Sequence, residues 1–434
     1  MRTLDEWLEY ITRQHEQEID MGLDRMREMV ERLALTRPAP KVMTVAGTNG
    51  KGSTCVASEA LLQARGVRTG VTLSPHIVRF NERIRIDGKD VGDALVIAAF
   101  EAIDGARKAN PDETIGLTYF EFSALAALWC FKHSAVDVAI LEIGLGGRLD
   151  AFNVIDADIA VITSIGLDHE AFLGSDVDQI GAEKAGILRS GQYVALGVDM
   201  PKSVELRCRE LNVKPHRLES AFKFEVSDGQ RWWVQEIHSG RPEAAVTVVP
   251  MGQIAPHNLL LALLASRGLY DLSIADLART APEVSLPGRM QQVTWQDRHW
   301  LLDVAHNPAG ARFLKAQLDG RQVQPAAIVC GMLVDKHHPE VFEDLHTAFP
   351  GAPWFCMDTH GPRGMSAGAL VSAMLNACDG AGAKVPAPVA CGSWSELVEQ
   401  LNSATSPGSV ILLLGSFNLI EQFQLIDKSL EIQN

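Results

Sequence analysis

The chain reads as an α/β protein: a doubly wound, mostly parallel sheet, then a small antiparallel β insertion, then a second α/β domain. Three observations predict this. Short apolar runs alternate with helical patterns from Val42 to Val198, the rhythm of parallel strands joined by crossover helices. Residues 216–250 break the rhythm, and it resumes after Leu286-Pro287-Gly288-Arg289. The first apolar run, Val42-Met43-Thr44-Val45, leads straight into a glycine-rich turn, where sheets of this class bind ligands.

Taken in order, residues 1–36 fit two helices. Leu4, Trp7, Leu8 and Ile11 share a face of the first; Leu23, Met26, Met29, Val30 and Leu33 share a face of the second. A helix is expected from near Ser53 through Leu61 and Leu62, and another around Phe120–Lys132. Val136–Glu142, Ile159–Ser164 and Tyr193–Val198 read as strands. In the insertion, runs beginning at Phe222, Arg231 and Ala245 read as short antiparallel strands, with Asp228-Gly229 as a hairpin turn. A helix follows from about His257 to Arg267. Beyond the boundary, placed near residues 285–295, the strand candidates are Trp300–Val304, Ala326–Cys330, Trp354–Met357 and Val410–Leu414. Helices fit near Gly310–Leu318, Gly368–Ala377 and Trp394–Leu401.

With 434 residues, 47% hydrophobic and 21% charged, the chain has ample core for two or three domains of a soluble globular protein. A net charge of −15 argues against a general nucleic-acid or acidic-membrane surface. Its seven cysteines are widely spaced with no CxxC pair, which reads as reduced thiols in a cytoplasmic protein without a zinc site. No apolar run is long enough to span a bilayer, and the charged N-terminus lacks a signal-peptide core.

The turn VAGTNGKGST carries the clearest chemistry. Glycines let backbone N–H groups face a phosphate, a helix N-terminus favours the negative charge, and Lys51 adds a point charge. Its spacing departs from G-x-x-x-x-G-K-[ST]: the first glycine would fall at Val45 and the hydroxyl residue at Gly52. A glycine-rich turn that binds nothing is the alternative. Glu142 ends an apolar run, where a carboxylate can hold Mg²⁺ or cap nearby backbone. Asp168-His169 lies just beyond another run, with His169 a metal ligand or a structural histidine. Ser74-Pro75-His76 offers a hydroxyl to a metal, or an ordinary turn. Lys184 reads on composition as a surface lysine. Asp303, His306 and Asn307 make a polar cluster that is either functional or an Asx turn into Pro308. Arg79, Arg83 and Arg85 alternate with Phe80, Ile84 and Ile86, as an exposed basic strand or as a positive lip for an anionic substrate.

Together these segments resemble the folylpolyglutamate synthase/dihydrofolate synthase family of the Mur ligase superfamily. Ten family-like motifs occur in order: VAGTNGKGST, SPH, FNERI, LTYFE, LEIGLGGRLDA, TSIGLDH, EKAGI, PGR, DVAHNP and LGSF. The resemblance implies a P-loop-type ATPase domain over residues 1–290 and a Rossmann-like, glutamate-binding domain over 291–434. It implies ATP contacts at Thr48, Asn49, Gly50, Lys51, Gly52, Ser53, Asn258, Arg289 and Asp303. It implies two Mg²⁺ ions, with Ser74 and Glu142 on one and His169 on the other, and a carbamylated Lys184. Thr118, Tyr119, Phe120, Glu121, Leu149, Asp150 and Ala151 match pterin-binding positions; His306 and Ser416 match glutamate-binding ones.

The implied reaction is ATP-dependent. A dihydropteroate or reduced-folate carboxylate attacks the γ-phosphate, and the amine of L-glutamate then attacks the acyl phosphate, releasing ADP and phosphate. Lys51, Glu142, His169 and Lys184 would carry it. Small molecules are the expected partners, without nucleic acid or membrane, and the expected state is a monomer. The rivals are a Mur-type ligase of a peptidoglycan precursor, disfavoured by LTYFE and DVAHNP, and a non-catalytic nucleotide-binding regulator, disfavoured by the Glu142, His169 and Lys184 set.

Overall fold

The computed structural model describes residues 2–431 apart from 16, 18, 111–113, 228, 239, 244, 337 and 380–385. Asp228 of the expected hairpin turn therefore lies outside the described residues. The chain divides into two compact units: Met1–Phe224, Val234–Thr247 and Pro256–Val284, and then Glu225–Trp233, Val248–Ala255 and Ser285–Asn434.

The first unit is built on eight strands: β1 (Lys41–Ala46), β2 (Thr69–Thr72), β3 (Ile84–Ile86), β4 (Lys89–Asp90), β5 (Val138–Glu142), β6 (Ile159–Ile162), β7 (Tyr193–Leu196) and β8 (His216–Arg217). Their order is β4-β3-β2-β5-β1-β6-β7-β8. The run from β2 to β8 is parallel, and β3 and β4 are antiparallel additions at one edge. Strand β1 lies centrally, with Val45 opposite Glu142 of β5 and Ala46 opposite Ile162 of β6. Helices cover both faces, so β5 and β6 are buried along their whole length, as their unbroken apolar sequences require. Helix Lys51–Gln63 is almost wholly buried and packs against helix Pro256–Ser266.

Helix Lys51–Gln63 starts earlier than its expected onset near Ser53, because Gly50 is left-handed (φ +85°) and turns the chain directly into the first helical residue. The two N-terminal helices are Leu4–Thr12 and Asp24–Arg32, and they bury Leu4, Trp7, Ile11, Met26, Met29 and Val30. The basic stretch is not a continuous exposed strand. Phe80–Arg83 is a 3₁₀ turn, because the Glu82 carboxylate accepts the N–H groups of Ile77, Val78 and Arg79 at 2.7, 2.9 and 2.7 Å. Only Ile84–Ile86 pairs as strand.

The antiparallel insertion comprises β9 (Phe222–Val226), β10 (Arg231–His238), β11 (Arg241–Pro242) and β12 (Thr247–Pro250), with β10 flanked by β11 and β12 and also pairing β9. Two of its stretches, 225–233 and 248–255, group with the second unit. Arg321 explains part of this: its guanidinium donates to Gly252 O at 2.8 Å and to Gln253 O at 3.2 Å.

The second unit has β13 (Gln291–Trp295), β14 (Arg298–Asp303), β15 (Ala327–Cys330), β16 (Trp354–Met357), β17 (Val389–Cys391) and β18 (Val410–Leu414). Their order is β13-β14-β18-β15-β16-β17, parallel except for the β13–β14 hairpin. Strands β13 and β17, and helices His338–Ala348 and Phe417–Glu431, were not expected from the sequence. Both missed strands lie on the sheet edges, where alternating or short runs carry little apolar signal. The six cysteines whose side chains are described are buried and free.

Candidate active site

The glycine-rich loop is pinned by the segment that follows β6. Gly47 has φ +151°, and a Cβ there would lie 1.8 Å from Thr163 Oγ1, so no other residue fits. Thr163 Oγ1 and Ser164 Oγ both donate to Asn49 O, at 2.7 and 3.1 Å. Thr48 N–H donates to Ser164 O at 2.7 Å, and Thr48 Oγ1 to Gly166 O at 3.1 Å. At the other end of the loop, a Cβ on Gly50 would meet Asn258 Oδ1 at 2.6 Å. The structure thus brings Asn258, 208 positions away by residue number, onto the tip of the loop. Lys51, Gly52 and Ser53 form the first turn of the helix, whose N-terminal dipole favours an anion.

Two lysines converge behind the loop. Lys51 Nζ donates to Gly47 O at 3.1 Å and Thr48 O at 3.2 Å, and Lys184 Nζ donates to Gly47 O at 3.0 Å. Lys184 is 5% exposed, which corrects its reading as a surface residue. Its helix, Val177–Ala185, is drawn in where Gly147 lets two backbones meet: a Cβ there would lie 2.9 Å from Glu183 O and 3.0 Å from Lys184 Cα. Burial, and then the Lys51 charge, push Lys184 down to about 7. Near neutral pH much of it is a neutral amine, the form that can add CO₂.

Glu142 ends β5 and is buried. Its Oε2 accepts the Ser74 N–H at 2.7 Å, and its own N–H donates to Thr72 Oγ1 at 2.8 Å. Capping and a metal role are therefore compatible here: one carboxylate holds the Ser74 turn and brings serine and glutamate together. His169 is left-handed (φ +52°) at the start of helix Glu170–Leu173, and its N–H donates to Asp168 Oδ1 at 2.9 Å. A serine hydroxyl beside a buried carboxylate suits a hard divalent cation that shares its shell with phosphate oxygens.

Beside Glu142 lies a pocket lined by Thr72, Ser74, Arg83, Phe120, Glu142 and Phe152 among others. Phe120 and Phe152 meet edge-on at 5.8 Å. Thr118 and Glu121 form the capping box of helix Tyr119–His133, and the buried Glu121 also accepts from Arg25 at 3.1 Å. Asp150 accepts the N–H groups of Gly144, Leu145 and Phe152 at 2.9, 3.0 and 3.0 Å, and burial raises its carboxyl to about 6. Leu149 and Ala151 flank it in the chain.

Arg83 is the residue that sequence reasoning left undecided. It is not on an exposed strand: it lines this pocket, and burial pushes its guanidinium down from its usual range. Its Nε donates to His76 Nδ1 at 2.7 Å, and its guanidinium carbon lies 5.5 Å from the Tyr119 ring centre. The available signal was Glu82, whose turn folds the basic stretch inward. Arg85 is held by the buried Glu59, while Arg79 stays exposed.

The second unit gathers its own candidates at the carboxyl ends of adjacent strands. Asp303 ends β14 opposite Leu414 of β18. It accepts the N–H groups of Met290 and Ala305 at 3.0 and 2.9 Å; burial raises its carboxyl while the nearby Arg289 charge opposes that. The Arg289 guanidinium lies 5.4 Å from the Phe417 ring centre. His306 Nδ1 is 2.7 Å from Val304 O, and Ser416 Oγ accepts Leu419 N–H at 3.1 Å. Asn307 caps the next helix through Gly310 N–H at 2.7 Å, so the Asx turn and the polar cluster coexist.

Comparison with known proteins agrees across the chain. The Mur ligase middle domain model matches residues 45–265, and the Mur ligase, glutamate ligase domain model matches residues 288–417. The dihydrofolate synthase/folylpolyglutamate synthase of Haemophilus influenzae is 37% identical over 97% of this chain and 96% of its own length. That of Escherichia coli is 39% identical over 86% of each. Among solved structures, Escherichia coli FolC in complex with DHPP and ADP aligns over 99% of both chains, with TM-score 0.87 and 33% identity. The bifunctional enzyme of Yersinia pestis complexed with AMPPNP and Mn ion aligns over 99% of this chain and 98% of that one, with TM-score 0.85 and 37% identity.

Proposed function

Because this chain belongs to the dihydrofolate synthase/folylpolyglutamate synthase family of Mur ligases, we propose that it joins L-glutamate to 7,8-dihydropteroate and to reduced folates at the expense of ATP. The observation that carries this reading is the convergence of Lys51 and Lys184 on Gly47 O, behind a loop that only glycine can form.

The loop amides of residues 48–53 and Lys51 hold the phosphates and offset the repulsion between two anions as the substrate carboxylate attacks. Arg83 receives that carboxylate beside Glu142. Thr118–Glu121 and Leu149–Ala151 position the pterin end, with Phe120 and Phe152 as its apolar walls. Ser74 and Glu142 would hold one Mg²⁺ and His169 a second; the metal when bound supplies Lewis-acid neutralisation of phosphate charge. Carbamylation turns Lys184 from a cation into a carboxylate able to orient a metal. Asn258 joins the ATP contacts of the first unit; in the second unit Arg289 and Asp303 are the positions for ATP, and His306 and Ser416 those for the incoming glutamate. On this reading residues 1–290 hold the phosphate loop and the pterin positions, and 291–434 hold the glutamate positions together with Asp303. No helix among the described residues is long and apolar enough to cross a membrane, and a cytoplasmic monomer fits this reading.

Lys51→Ala and Glu142→Ala test it. Each is expected to lower ligation by at least about 100-fold with thermal unfolding little changed. Near-normal turnover in either variant would remove that residue from the mechanism.

A further inference from the structure

Arg83 can serve a carboxylate only if its planar guanidinium is held at one angle, because the fork recognises anions through the direction of its N–H bonds. The fold supplies the hold. Glu82 ties the N–H groups of Ile77, Val78 and Arg79 into one turn, and Leu73 N–H donates to Arg83 O at 3.0 Å. The backbones of His76 and Arg83 are thereby fixed with respect to each other. Across this turn His76 Nδ1 accepts from Arg83 Nε at 2.7 Å. The His76 ring is itself packed 6.2 Å from Phe80, which meets Tyr119 edge-on at 6.2 Å. Tyr119 in turn lies under the Arg83 guanidinium. Glu142 and Glu82 act on Arg83 as charges through space. With Nε committed to His76, the terminal nitrogens are the donors left for the pocket that Arg83 lines.

We infer that His76 is a positioning residue: its Nδ1 lone pair orients Arg83 to take the attacking carboxylate of the pterin substrate beside Glu142. This rests on the reading of that pocket as the pterin-carboxylate site. In this role His76 acts through Arg83. Its part is to turn a mobile cation into a directed one, so its loss shows in the pterin substrate and not in ATP.

The test uses the full-length enzyme and three variants. His76→Phe keeps a ring without the acceptor. His76→Asn places an amide oxygen near the Nδ1 position. Arg83→Met removes the group being positioned. His76→Phe is expected to raise KM for dihydropteroate by about 10-fold or more, with KM for ATP within about twofold and thermal unfolding little changed. His76→Asn should return KM for dihydropteroate to within about threefold of wild type. In the Arg83→Met background, His76→Phe should add little, since the two act as one unit. Equal behaviour of the Phe and Asn variants, or independent effects of His76 and Arg83, would overturn the inference. A wild-type enzyme that neither binds nor turns over dihydropteroate would overturn the substrate reading and this inference with it.

Discussion

Lys184 shows what a single residue gains from its surroundings. Its sequence neighbours, Glu183 and Ala185, say nothing of burial; its partner Gly47 lies 137 residues away. Burial and the Lys51 charge bring it from 10.5 to about 7. The unfolded chain takes up this proton as pH falls below about 10.5, and the folded chain does so only below about 7. Lys184 therefore costs stability increasingly as pH drops through that window, and by a constant amount below it. In carbonate-free buffer, Lys184→Met should gain stability over wild type as pH falls from 10.5 to 7, read by chemical denaturation; an unchanging difference would mean the amine is not perturbed. With bicarbonate present, intact-mass spectra near pH 8 should show one added CO₂ that Lys184→Met lacks. Gly47 gives a second residue-scale outcome. Gly47→Ala would set its Cβ 1.8 Å from Thr163 Oγ1, and ATP affinity should fall by at least about 10-fold, by calorimetry.

At the scale of elements, what the sequence revealed and what it hid divide along physical lines. Strands β1, β5, β6 and β18 were legible because strands covered on both faces must be continuous apolar runs. The phosphate loop was legible because a strand, a set of glycines and a helix start fall together in the chain. Edge strands β13 and β17 were not legible: β13 alternates and β17 has three residues, so pairing rather than composition makes them strands. The inward fold of the basic stretch was hidden for a similar reason, since Glu82 caps backbone groups that composition does not reveal. Arg298 is another such element-scale device. At the start of β14 it is buried, and its guanidinium donates to Leu401 O, Asn402 Oδ1, Thr405 O and Thr405 Oγ1 around the end of helix Trp394–Ala404. A lysine cannot make that many directed bonds. Arg298→Leu and Arg298→Lys should each cost roughly 2–3 kcal/mol in chemical denaturation, while a loss under about 0.5 kcal/mol would show the cap to be dispensable.

At the scale of the whole molecule, each unit sets its candidate residues at the carboxyl ends of a mostly parallel sheet, as doubly wound sheets do. In the first unit those ends belong to β1, β5 and β6; in the second, to β14 and β18. The sequence shows these clusters one at a time, as polar residues closing apolar runs. It does not show that Glu142 and Ser74 share a hydrogen bond or that Asn258 reaches Gly50, because those pairings arise from the crossovers. The family resemblance supplied the roles that separate clusters could not. As a whole the chain is expected to carry one activity, that of an amide ligase. Its most direct measurement is glutamate-dependent phosphate release from ATP and Mg²⁺, run in parallel with 7,8-dihydropteroate and tetrahydrofolate, with products identified by mass spectrometry. Phosphate release with both, each product heavier by one glutamate residue, is the expected result. Folded protein that binds ATP yet releases no glutamate-dependent phosphate with either substrate would contradict that activity.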